Sequence, residues 1–220
     1  MKVSVIIAAG GSGKRMGTPK QFLPLCGRPL VEWTVRAFKA VKRIGQIILV
    51  VSGDDSVKAE TFGVEVATSG PERQDSVKNG LALVSLDCDI VLVHDGARPL
   101  ITADIIEKAI DAADRYGAAV VGVPVKDTIK AVGDDSFIAG TADRSKLWAA
   151  QTPQAFKREI ITRAYQNIKG IVTDDSKLAE QLGVKVKMIM GSYENIKITT
   201  PEDLMMAEAV LRSRNVLSDT

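Results

Sequence analysis

The sequence predicts an α/β chain: a doubly wound, mainly parallel (mixed) sheet with helices on both faces. Three observations carry that prediction. Short apolar runs rich in β-branched residues, at 3–7, 46–51, 90–93 and 118–123, read as buried strands. Segments with apolar residues at helical spacing separate them, the order that builds parallel sheets through crossover helices. Two of these strands end in stretches suited to ligands, one in a glycine-rich loop and the other in His94-Asp95.

Length and composition set bounds. The chain has 220 residues, 45% hydrophobic and 25% charged, enough for one sizeable core with an appendage. A net charge of +2 with scattered basic residues calls for neither nucleic acid nor an anionic membrane as partner. No apolar run reaches spanning length, and the one at 3–7 is too short for a secretory core. Cys26 and Cys88 suggest neither a disulfide framework nor a zinc site, and read as reduced thiols of a cytoplasmic protein.

The first strand feeds Ala8-Ala9-Gly10-Gly11-Ser12-Gly13-Lys14-Arg15-Met16-Gly17-Thr18-Pro19-Lys20-Gln21. Three glycines in four positions let the backbone approach a ligand closely. Successive N–H groups in such a loop form an anion-binding concavity, and Arg15 and Lys20 follow within reach. Strand, loop and cations read either as a phosphate grip or as a plain strand-to-helix turn with solvated Lys and Arg, and neither common phosphate-loop pattern fits. The Walker A spacing would need Gly where Ala8 stands and Ser or Thr where Arg15 stands. The dinucleotide fingerprint would need Gly at Met16.

A helix is expected over 28–41, with Leu30, Trp33, Val35 and Phe38 inward, and a short strand over 64–67. A second strand-to-helix junction follows at Gly70-Pro71, and a helix over 73–86 in which Gly80 marks close packing. Asp75 or Ser76 reads as its cap. Asp95, at the carboxyl end of a buried strand, sits where open sheets bind ligands. His94, the single histidine, reads as structural. A helix over 102–116 is capped by Thr102 and stopped by Gly117. The stretch 124–147 reads as a polar hairpin leaving the domain, an arm suited to packing on a second subunit. Helices over 157–168 and 174–182, the latter capped by Thr173, precede strands over 185–190 and 194–199. Thr200-Pro201-Glu202-Asp203 opens the last helix.

Five motifs, in order, resemble those of the 2-C-methyl-D-erythritol 4-phosphate cytidylyltransferases, within the sugar-nucleotide pyrophosphorylases and related nucleotidyltransferases. They are the glycine loop with Pro19-Lys20-Gln21; Gly70-Pro71-Glu72-Arg73-Gln74-Asp75-Ser76-Val77; Val93-His94-Asp95-Gly96-Ala97-Arg98-Pro99; Asp127-Thr128 and Lys130 with Asp143-Arg144 through Thr152-Pro153-Gln154; and Asn195-Ile196-Lys197 with Pro201-Glu202-Asp203-Leu204. Pro71 and Gly96 depart from the family's usual residues there.

The resemblance implies a Rossmann-like nucleotidyltransferase fold in one domain, 1–220, with an extended β-arm. It implies transfer of CMP from CTP to methylerythritol phosphate with release of pyrophosphate. Ala8, Ala9, Gly10, Gly11, Ser12, Gly13, Gly70, Pro71, Ser76, Asp95 and Gly96 would hold CTP. Asp95, Arg98, Thr128, Arg144, Thr152, Thr173 and Lys197 would hold the acceptor. Arg15, Lys20, Arg144 and Lys197 would carry catalysis. Mg²⁺ would be held mainly by CTP phosphates, with Asp95 as its one candidate protein ligand. The arm would cross a homodimer and deliver Thr128 and Arg144 to the neighbour's site. Ribitol 5-phosphate is the rival acceptor, and a non-catalytic nucleotide-binding module the rival class.

Overall fold

The computed structural model describes residues 1–11, 20–168, 170–172 and 174–214. From the start of the chain run β1 (Val3–Ala8), the short pair β2 (Pro24–Leu25) and β3 (Arg28–Pro29), α1 (Leu30–Lys39), β4 (Ile44–Val51), α2 (Ser56–Glu60), β5 (Glu65–Thr68), α3 (Arg73–Leu81) and β6 (Ile90–Asp95). Then follow α4 (Ala103–Tyr116), β7 (Ala118–Pro124), β8 (Lys130–Val132), β9 (Ile138–Thr141), β10 (Trp148–Lys157), α5 (Arg158–Gln166), α6 (Asp175–Gln181), β11 (Lys187–Met190) and α7 (Pro201–Ser213).

Seven strands form one mixed sheet in the order β11-β7-β10-β6-β1-β4-β5. β1 pairs in parallel with β4 and β6, β4 with β5, and β7 with β11. β10 runs antiparallel to both of its neighbours, wedged between β6 and β7.

Side-chain alternation along these strands divides the core. Val3, Val5 and Ile7 of β1, with Leu49, Val51, Ile90 and Leu92, face α1 and α4. Ile6, with Ile48, Val50, Val91 and Val93, faces α3, α5 and α6. Both faces are therefore apolar, which is why these strands read as continuous apolar runs. A third cluster packs α7 (Ala207, Leu211) against Leu25, Leu30, Trp33 and Leu100.

Helix ends follow local chemistry. Gly117 stops α4 at φ 86°, where a side chain would be strained, and its N–H reaches Ala113 C=O at 2.8 Å. Thr200 caps α7 by accepting from Asp203 N–H, with Pro201 in the first turn.

Several expectations need correction. The helix expected from residue 28 begins at Leu30, because Arg28 and Pro29 pair with Leu25 and Pro24. α3 closes at Leu81, and Leu86 points to solvent. α3 is capped by Glu72: Asp75 accepts from the Glu72 N–H, while Ser76 lies a full turn inside. Asp174 caps α6, accepting from Lys177 N–H at 3.0 Å.

β10 is an element the sequence pattern does not announce, since Pro153 and two glutamines interrupt its run. The strand accommodates Pro153 in an irregularity between Ala150 and Gln154. Residues 194–199 form no strand. Their backbone groups go elsewhere: Asn195 C=O accepts from Arg98, and Ile198 N–H donates to Ala97 C=O.

Candidate active site

Three loops meet at the carboxyl ends of β1, β5 and β6. Ala9 N–H donates to Val50 C=O at 2.7 Å, carrying the first loop past β4. Gly10 then passes so close to Ser69 that a Cβ there would strike the Ser69 side chain. A Cβ on Gly96 would lie 2.8 Å from Ala9 Cβ. Small residues at these points are thus a packing requirement. On α1, buried Thr34 donates to Gly96 C=O at 3.1 Å and pins the loop after β6.

The second loop is fixed by Ser76. Its Oγ accepts from Gly70 N–H at 3.1 Å and donates to Glu72 C=O at 3.1 Å. The bend brings the first turn of α3 towards β6, with Pro71 exposed at the loop's outer edge.

Asp95 is the hub. Its Oδ2 lies 3.0 Å from Lys197 Nζ and 3.4 Å from Arg98 Nε, and its Oδ1 lies 3.3 Å from Arg73 Nε. Burial alone would raise this carboxyl's pKa. Arg73, Lys197 and Arg98 more than offset that, and hold it well below the usual carboxylate range. Arg73 also faces Asp175 Oδ2 at 2.9 Å. Among the described residues, three cations thus meet two carboxylates, one positive charge in excess. Lys197 keeps 39% of its side chain exposed, so part of that charge faces outward. Such a pocket suits a phosphate.

His94 lies behind the hub, fully buried, its ring 4.9 Å from that of Phe38. Burial pushes its pKa down to about 3, against a weaker upward pull from the Arg98 backbone. The ring is therefore neutral. Arg98 C=O, 3.2 Å from Nε2, can only accept, so Nε2 carries the proton. Nδ1 must then accept from Thr152 Oγ1 at 3.1 Å, and that oxygen accepts from Asp95 N–H at 3.0 Å. This chain uses both ring nitrogens and leaves His94 no free base.

The structure brings together Asp95, Arg98, Thr152 and Lys197 from the expected acceptor set. Ala8 to Gly11, Gly70, Ser76 and Gly96 line the adjoining loops. Lys20 stands at the head of a single helical turn, Lys20–Phe22. Ser12, Gly13, Arg15 and Thr173 lie outside the described residues. Thr128 and Arg144 stand apart on the hairpin: Thr128 is exposed, and Arg144 donates to Lys126 C=O at 2.6 Å. Among the described residues, neither bonds to the Asp95 group.

Sequence reasoning gave no role to Arg73, Asp175 or Asn195. Arg73 and Asn195 sit inside recognised motifs, so the signal is present. Asn195 is fully buried and donates to Gln151 Oε1 at 3.2 Å and Thr152 C=O at 3.0 Å.

The described residues hold no group of three or more His, Cys, Asp or Glu side chains able to cage a metal. Both Asp95 oxygens already face cations, an arrangement made for anions more than for a metal ion.

Comparison with known proteins gives the family. The family model described as "IspD: 2-C-methyl-D-erythritol 4-phosphate cytidylyltransferase" matches residues 3–213. A protein of that name from Caldanaerobacter subterraneus subsp. tengcongensis is 46% identical over 96% of this chain and 100% of its own. One from Alkaliphilus oremlandii is 47% identical over 97% and 96%. Among solved structures, the 4-diphosphocytidyl-2C-methyl-D-erythritol synthase of Anaerococcus prevotii superposes with a TM-score of 0.85 at 34% identity, covering 96% of this chain and 98% of that one. The cytidylyltransferase of Thermus thermophilus gives 0.83 at 33% identity, covering 96% and 100%. With the family model spanning nearly the whole chain and relatives this similar end to end, the chain belongs to the 2-C-methyl-D-erythritol 4-phosphate cytidylyltransferase family.

Proposed function

We propose that the chain works as one nucleotidyltransferase domain, 1–220, whose β-arm at 124–147 completes the site of a second copy. The chain is a cytidylyltransferase: it transfers CMP from CTP to 2-C-methyl-D-erythritol 4-phosphate, giving the cytidylyl diphosphate ester and pyrophosphate, in non-mevalonate isoprenoid synthesis. An oxygen of the acceptor phosphate attacks the α-phosphorus of CTP, and the bond to the β,γ-pyrophosphate breaks. A phosphomonoester is largely dianionic at neutral pH, since its second pKa is about 6. It needs no general base, which agrees with a neutral, fully bonded His94.

The cation-rich hub around Asp95 carries the site reading. In it, Lys197 and Arg98 receive the acceptor phosphate, Asp95 holds them in place, and Thr152 fixes the Asp95 backbone. Gly10, Gly11 and their neighbours wrap the CTP phosphates, and Gly70, Pro71 and Ser76 hold the cytidine side. Arg15 and Lys20 neutralise charge on the α-phosphate and departing pyrophosphate. Each such contact is typically worth about 3–4 kcal/mol. Thr173 completes the acceptor pocket.

Magnesium arrives with the nucleotide, as Mg-CTP. The homodimer reading rests on the arm. Val132, Phe137 and Ile138 expose 60%, 75% and 64% of their surface on a hairpin that has no core of its own. A second copy covers them, and Thr128 and Arg144 then reach its acceptor pocket. Cys26 and Cys88, both free, fit a reducing cytoplasm. No helix among the described residues is long and apolar enough to cross a membrane.

Pyrophosphate release with Mg-CTP, offering methylerythritol 4-phosphate and ribitol 5-phosphate in parallel, tests the activity. Release with the first alone is expected. Release with ribitol 5-phosphate alone would keep the mechanism and overturn the acceptor. Release with neither, from folded protein, would overturn both.

A further inference from the structure

Arg73 faces carboxylates from two separate parts of the fold. Its Nε lies 3.3 Å from Asp95 Oδ1 at the end of β6, and its Nη1 2.9 Å from Asp175 Oδ2 in the first turn of α6. Asp175 is buried and takes a second bond, 2.5 Å long, from Tyr165 Oη on α5. Burial alone would lower the Arg73 pKa, but Asp175 and Asp95 hold the guanidinium charged, above its ordinary value.

The next residue reaches the same way. Gln74 Oε1 accepts from Val172 N–H at 3.0 Å, and its Nε2 donates to Gly170 C=O at 3.4 Å. Both residues lie in the first turn of α3, directly after the Gly70–Ser76 Oγ bond that shapes the second loop. One helical turn thus ties that loop to Asp95 on one side and to the approach to α6 on the other. A guanidinium is a rigid planar fork, so moving this turn relative to β6 or α6 breaks one of its pairs. The contacts have one arrangement in which all are made.

Resting on the reading that the second loop holds cytidine and the Asp95 hub holds the acceptor phosphate, we propose that Arg73 and Gln74 are positioning residues that make the two substrates bind cooperatively. Nucleotide that fixes the loop fixes Arg73. Arg73 then fixes the Asp95 carboxylate, which aligns Arg98 and Lys197 for the phosphate. The coupling is reciprocal, so acceptor also tightens nucleotide binding.

Calorimetry on the full chain tests this, with methylerythritol 4-phosphate and an α,β-methylene analogue of CTP that cannot release pyrophosphate. Wild type should bind the acceptor about tenfold more tightly with the analogue present, within the common range of about 5–150-fold. Arg73→Gln should bring that ratio to about one, while affinity for the analogue alone changes less than about threefold. Gln74→Ala, which removes no charge, should lower the ratio at least about twofold. A wild-type ratio near one, or an unchanged ratio in folded Arg73→Gln, would overturn the proposal. So would equal weakening of both ligands with the ratio intact, the mark of a merely structural residue. If Arg73→Gln does not fold, Gln74→Ala decides by the same ratio. An analogue that fails to bind wild type would contradict the nucleotide site itself, a separate result.

Discussion

Lys197 places its Nζ 3.0 Å from Asp95 Oδ2 although it stands on no strand. Side-chain bonds do the work of a ladder here. Asn195 grips Gln151 and Thr152, Gln151 donates to Ser192 C=O at 2.8 Å, and Arg98 holds Asn195 C=O at 2.8 Å. Asn195→Ala leaves buried acceptors unpaired, which costs about 1–3 kcal/mol. It should lower stability by that amount in denaturant titrations and raise the acceptor KM. A variant with unchanged stability and KM would show that the segment holds itself.

The neutral His94 makes stability depend on pH. Its folded pKa is about 3, against about 6.5 unfolded. The unfolded chain therefore takes up a proton below about pH 6.5 that the folded chain refuses. This contribution is complete above that pH and is lost as pH falls from about 6.5 towards 3. From pH 7.5 to 5.5 it should cost about 1.4 kcal/mol in urea unfolding. As His94 is the single histidine, its NMR titration in the folded protein is unambiguous. A midpoint near 6.5 would contradict the burial argument.

Gly80 sits inside α3 with its missing Cβ 2.6 Å from Ile6 Cγ2 and 3.1 Å from Val50 Cγ2. Helix propensity favours Gly80→Ala by about 1 kcal/mol. Overpacking against β1 and β4 should outweigh it, for a net loss of up to about 2 kcal/mol. A higher melting temperature would mean that α3 can shift outward freely.

The proposed dimer rests on the arm. Phe137→Asp should weaken self-association at least about tenfold by sedimentation, since buried aromatic anchors dominate interfaces. Mixed dimers of Arg15→Met and Arg144→Met protomers should regain activity, because one of their two sites has both cations. An unaltered dimer in the first case, or no regain in verified heterodimers, would count against exchange of the arm.

Most of the fold was legible because both sheet faces are covered. Runs such as Val5-Ile6-Ile7 and Val91-Leu92-Val93 announce buried strands directly. β10 was not legible, because polar side chains interrupt its apolar run and bond to neighbouring elements: Gln154 accepts from Ser176 N–H of α6 at 2.8 Å, and Thr152 from Asp95 N–H at the end of β6. The expected strand over 194–199 failed for the converse reason: apolar alternation at Ile196 and Ile198 serves a loop pinned by side chains. Asp95, Arg98 and Lys197, which the structure draws into one cluster, all lie in motifs the sequence displays. Arg73 was not singled out, because its two partners lie 22 and 102 residues away in sequence. Its ion pairs exist only in the folded chain.

The most direct test of the phosphate pocket is the steady-state kinetics of Lys197→Met. The KM for methylerythritol 4-phosphate should rise about 10–150-fold, the worth of one charged hydrogen bond of about 1.5–3 kcal/mol, while the KM for CTP stays within about twofold. A raised KM for CTP with an unchanged acceptor KM would contradict it, and would move Lys197 to the nucleotide side of the site.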